Sequence, residues 1–250
     1  MRQRFALPIA SAAILAMLAA SAFAQAPPTA AKQAPAGPPK PAPRLADGRI
    51  DFSGLWRPAD IFLIEDISLG MKPGETVPLN TWAQEKMKKQ LSKEDPEANC
   101  LPMGVPRQAP YPWKFVESPP YIYMLFEGNI HSFRQFFLKR TEHLKGRAPL
   151  WYGDSIAHWD GDTLVVDTTG FNDKFWFDMA GHPHTTQLQV TERYHRRDLG
   201  NLDIQVTIVD PGAYTKPWVI NRVSTLETGI EMSEYVCNEN NSDALHLVGK

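Results

Sequence analysis

The sequence predicts a mainly β protein: eight or nine antiparallel strands closing into a barrel around one core, with one short helix, and a β-sandwich as the alternative architecture. Three observations predict it. From Tyr121 onward, apolar and polar residues alternate at a period of two, the pattern of strands with one buried face. These runs are separated by short turn-forming stretches such as Gly128-Asn129 and Asp160-Gly161, which favour hairpins. Only one segment, "NTWAQEKMKKQLSKE", carries clear helix signals. A meander of this length must close on itself or leave long unpaired edges, and closure is the common solution.

The elements follow in chain order. The opening "MRQRFALPIASAAILAMLAASAFAQ" places Arg2 and Arg4 before an apolar run that ends in Ala22-Phe23-Ala24, the pattern of a secretory signal peptide over residues 1–24. Cleavage after Ala24 leaves 226 of the 250 residues and moves the formal charge from −2 to −4. Residues 25–44 are dominated by proline and alanine, bury nothing and read as a disordered linker. Residues 45–250 then form a single β-barrel domain, a periplasmic or secreted protein with no stable membrane insertion once the signal is gone. Its first strand lies in "DFSGLWRPA". The proline-rich stretch from Gly70 to Pro120 holds the helix, with Asn80 or Thr81 as cap, Gln84 completing a capping box, and Glu85 and Lys89 one turn apart. Trp82, Met87 and Leu91 give that helix a narrow apolar face. Hairpins follow in "YIYMLFEG" with "IHSFRQFFL", in "GDSIAHWDGDTLVVDTTGF", and in "TTQLQVTERYHR" with "LDIQVTIVD"; "KPWVINRV" and "IEMSEYVC" complete the run.

An even cysteine count in an exported chain points to one disulfide, Cys100 to Cys237. Closing so long a loop contributes roughly 4 to 5 kcal/mol in the chain-entropy account. The mild acidity argues against a nucleic-acid partner, which needs a basic surface. No nucleophile elbow, phosphate loop or cysteine-rich metal pattern occurs, so no cofactor and no metal are expected.

The stretch "GHPHTTQLQVTERYHR" carries the main functional candidates. Its even positions, His184, Thr186, Leu188, Val190, Glu192 and Tyr194, share a face with the buried side of the next strand, which puts the Glu192 carboxylate inside. A buried carboxylate must be paired, bound by several donors or protonated. Arg134 and Arg222, both in the middle of apolar strands, are the partners at hand. Two functional readings follow. In the first, the barrel binds a small, largely apolar molecule, with Arg134, Arg222, Trp159, Trp176 and His182 as ligand contacts. In the second it is a cofactor-independent lyase, isomerase or hydrolase, or a metal-dependent version of one, in which His158 or His184 moves a proton beside Glu192 and Tyr194. The strand geometry favours His158 over His184 as the partner of Glu192, because His184 lies eight residues away along the same strand. His182 and His184 then guard the mouth. The basic "RYHRR" reads as a solvated rim.

Two resemblances add to this reading. Gly54-x-Trp56 in the first strand resembles the motif of lipocalin-like barrels, whose tryptophan plugs the closed end. The segments "GDSIAHWDGDTLVVDTTGF", "VTERYHR" and "AYTKPW" resemble a group of uncharacterised exported bacterial proteins over most of Asp51 to Lys250. That resemblance implies export and one domain, and it brings no activity.

Overall fold

The computed structural model describes residues 38–60, 65–107, 111–128 and 132–239. The expected signal peptide, most of the Pro/Ala-rich stretch, the Asn129 end of the first hairpin turn and the "HLVGK" terminus lie outside them. Nine strands form a closed barrel in chain order: β1 (Leu55–Pro58), β2 (Trp113–Ser118), β3 (Tyr121–Phe126), β4 (Phe133–Phe137), β5 (Asp154–Asp160), β6 (Thr163–Thr169), β7 (Gln189–Arg196), β8 (Asn201–Val209) and β9 (Trp218–Glu227). β9 pairs back onto β1 from Leu55–Glu227 to Pro58–Ser224, so the sandwich alternative does not apply.

Alternation decides what faces inward. On β8, Leu202, Ile204, Val206 and Ile208 are buried, and on β7 Val190, Glu192, Tyr194 and Arg196 are, in the phase the sequence implies. The barrel axis is filled by rings rather than left open. Phe52, Trp113, Phe115, Phe136 and Tyr194 pack edge to face, with Phe115 5.8 Å from Phe52, 5.1 Å from Trp113, 6.1 Å from Phe136 and 5.2 Å from Tyr194. Such pairs add about 0.5 to 1.5 kcal/mol each beyond the area they bury.

Four features differ from the sequence expectation. The barrel is mixed, because β4 and β5 run parallel and meet only through Phe136–Ser155 and Phe137–Ile156. Residues 138–153 do not turn directly; they carry the chain from the far end of β4 back to the start of β5, and a return of that kind makes a parallel neighbour. "WKFVES" is a strand that its flanking prolines disguise, whereas "IEMSEYVC" forms none. The helix, α1 (Thr81–Lys89), has Asn80 as N-cap, its side chain accepting from the Ala83 N–H at 2.9 Å, but it docks through Ala83 and leaves Trp82 exposed. Its ion pair is Glu85 with Lys88 at 2.9 Å, not with Lys89. Lastly, the end of the Pro/Ala-rich stretch is tied to the barrel: the Lys40 carbonyl accepts from Leu199, and Arg44 pairs with Asp162 at 2.6 Å.

Topology gives the barrel two unlike ends. At one, where the β5–β6 and β7–β8 turns lie, Trp56 is fully buried and donates Nε1–H to the Phe52 carbonyl at 3.0 Å. The Arg196 guanidinium lies 4.8 Å over its ring and donates to the carbonyls of Asp51, Ser53, Asp198 and Leu199. Arg196 is therefore a buried clasp, not part of a solvated rim. At the other end the segment Pro102–Arg107 is buried. Its Pro106 carbonyl accepts from Arg222, and Gly104, at φ +71°, has the Phe175 ring where a Cβ would sit. The Cys100–Cys237 disulfide, spanning 137 residues, anchors this covering segment to the chain beyond β9.

Candidate functional site

The polar interior of the barrel is one connected network. Arg134 on β4 faces Glu192 on β7 in a two-pronged ion pair, Nη1 to Oε1 at 3.1 Å and Nη2 to Oε2 at 2.5 Å, with both side chains essentially inaccessible. Tyr194 donates to Glu192 Oε1 at 2.8 Å, and Arg134 Nη2 also donates to Thr168 Oγ1 at 3.2 Å. Thr168 in turn shares a hydrogen bond of 2.9 Å with Ser155. Burial works to lower the Arg134 pKa, and the Glu192 carboxylate more than offsets this, so the guanidinium stays charged. Burial, and then Glu192, push the Tyr194 phenol well above its ordinary value, which keeps it a neutral donor. Arg222 points inward from β9, donates to Pro106 at 2.6 Å and adds positive charge near Glu192 and Tyr194.

This network reaches the surface at the seam between β4 and β5. Two residue pairs join those strands, and beside them opens a cleft of about 360 Å³. Its walls are Phe133, Phe137, Leu150, Trp151 and Tyr152, and it also touches Arg134 and Ser155 of the network. Tyr152 is held by a 2.7 Å hydrogen bond with Ser132 and stacks on Phe126 at 5.8 Å; burial raises its pKa, so it too is a neutral phenol. The rim is charged. Asp154 accepts from Arg140 at 2.6 Å, from the Leu144 N–H at 3.2 Å and from His143 at 3.3 Å, while the Arg140 guanidinium covers the Phe137 ring at 3.7 Å.

His182 and His184 lie in the loop between β6 and β7, and both are buried rather than set at an open mouth. Asp178 organises that loop. Its Oδ1 accepts from the N–H groups of Gly181 and His182, and its Oδ2 from the Ile67 N–H at 2.7 Å and the His182 ring at 2.5 Å. Asp66, Asp178 and His182 bring potential ligand atoms within 4.8 Å of one another. However, four protein donors already occupy the Asp178 carboxylate, so its chemistry is that of a loop anchor. His184 is wedged against Phe175 and Phe177, with ring centroids 3.9 and 5.3 Å away, and its Nδ1 faces the Thr185 carbonyl. Burial pulls its pKa down to about 4.

Of the residues the sequence singles out, Arg134, Glu192, Tyr194 and Arg222 come together. His158 does not join them: it is exposed on the outer face of β5, while Ala157 and Ser155 point inward. His158 and Glu192 thus stand on opposite faces of the sheet, and the expected pairing does not form. Trp159 stacks on Phe52 at 5.4 Å near the Trp56 end, under Arg49. Trp176 lies by Gln90 and His184 on a separate shallow cleft. The residues that sequence reasoning passes over are Phe133, Phe137 and Ser155. The alternation in "FRQFF" places Arg134 inward and Phe133 and Phe137 outward, but only the parallel seam brings the last two beside Trp151.

Comparison with protein-family models, with curated proteins and with solved structures gives no match.

Proposed function

We propose that this protein binds a small, largely apolar molecule, and that it does so in the β4–β5 seam cleft rather than along the barrel axis. The observation that carries this reading is the cleft itself: about 360 Å³, with Phe133, Phe137, Trp151 and Tyr152 among its walls, and in touch with Arg134 and Ser155. Small-molecule sites combine such apolar walls with a few placed polar groups. With the axis filled by rings, the seam, where β4 and β5 are joined by two residue pairs, is the point of entry. Export to an oxidising compartment accords with the Cys100–Cys237 disulfide. The acid–base alternative needs His158 or His184 beside Glu192; His158 stands on the opposite face and His184 is wedged against Phe175 and Phe177, so it is not developed further.

A thermal-shift screen of small aromatic compounds tests the proposal, run on the wild type and on Trp151→Ala. Compounds that raise the wild-type midpoint should lose most of that effect in the variant, since stabilisation follows occupancy. Equal shifts in both proteins would place binding elsewhere.

A further inference from the structure

The connection from β4 to β5 carries Lys139, Arg140, Lys145 and Arg147 against Glu142 alone, in a chain whose formal charge is negative overall. This basic segment borders the seam cleft, and Arg147 lines it. The cations are not equally engaged. Arg140 bonds Asp154 at 2.6 Å, and Asp154 is further held by Leu144 and His143. Arg147 reaches the same carboxylate only at 3.9 Å and keeps about half its side chain exposed. Asp154 is thus already compensated, and the Arg147 guanidinium stands over an aromatic cleft with hydrogen-bonding capacity to give.

We infer that the seam cleft selects planar aromatic anions, the ring lying among Phe133, Trp151 and Tyr152 and the carboxylate meeting Arg147 at the rim. The inference rests on the reading of this cleft as the binding site. Guanidinium and carboxylate match as a planar fork, and aromatic walls favour a flat ring. Arg134, by contrast, is neutralised by Glu192 and contributes position rather than free charge.

Calorimetric titration with 2-naphthoate and with the neutral 2-naphthamide, on the wild type and Arg147→Gln, separates the possibilities. The expected result is that the wild type prefers naphthoate by about tenfold, and that Arg147→Gln abolishes this preference while leaving naphthamide affinity unchanged. Equal affinity for the two compounds in both proteins would overturn the anion preference and leave the cleft as the site. Binding of neither compound to the wild type would overturn both. Because Arg147 is half exposed, its substitution leaves the fold intact, which the circular dichroism spectrum verifies.

Discussion

At the scale of single residues, the decisive group is Glu192. Its carboxylate is fully buried and satisfied by Arg134 and Tyr194, so removing it strands a guanidinium inside the barrel. Breaking a buried pair costs about 3 to 5 kcal/mol, whereas replacing both partners with apolar groups is often near neutral. Glu192→Ala should therefore lose about 3 to 5 kcal/mol in urea unfolding, and Arg134→Met with Glu192→Leu should recover most of it. Additive losses in the double variant would contradict the pairing account. His184 supplies a pH dependence. Its folded pKa of about 4 lies below the ordinary 6.5, so between those values the unfolded chain takes up a proton that the folded chain does not. The contribution is complete above about pH 6.5 and is lost as pH falls towards 4, a loss of about 3 kcal/mol. His184→Phe should flatten that part of the stability curve between pH 7 and 4.5, and an unchanged curve would mean the acid sensitivity lies in other groups.

At the scale of elements, the seam is the feature that matters. β7 and β8 pair along eight residue couples from Gln189–Val209 to Arg196–Leu202, whereas β4 and β5 pair along two. Opening free energies follow such differences in local support. Native-state hydrogen exchange should find the Phe137 and Ile156 amides opening well before those of Val190 and Ile204; protection of both sets at the level of global unfolding would remove the seam as a point of access. The strands themselves were legible in the sequence because "LDIQVTIVD" and "TTQLQVTERYHR" alternate cleanly, and the same alternation put Glu192 inside. The seam was not. A parallel neighbour leaves no turn signature, and period-two reasoning alone cannot tell which strand lies beside β4. His158 was misplaced for a related reason. "SIAHWD" has apolar residues in both phases, and the small Ser155 and Ala157 turned out to be the inward ones, since the aromatic rings already fill the axis.

At the scale of the whole molecule, closure, the two capped ends and the disulfide serve one arrangement. Trp56 under Arg196 seals one end, Pro102–Arg107 covers the other, and Cys100–Cys237 holds that cover in place. With the axis filled by rings, the rigid barrel becomes a support for a site on its flank, where β4 and β5 run parallel in a barrel whose other strand pairs are antiparallel. The Arg134–Glu192–Tyr194 network then has two consequences: it fixes the inner wall of the seam cleft, and it makes the barrel intolerant of losing any single member. The most direct test is a crystal structure of the protein soaked with 2-naphthoate. The account predicts density for the ring against Phe133, Trp151 and Tyr152, with the carboxylate within hydrogen-bond distance of Arg147 and the Arg134–Glu192 pair unchanged. Naphthoate bound instead beside Trp176 and His184, or within a barrel interior whose rings had moved aside, would contradict it.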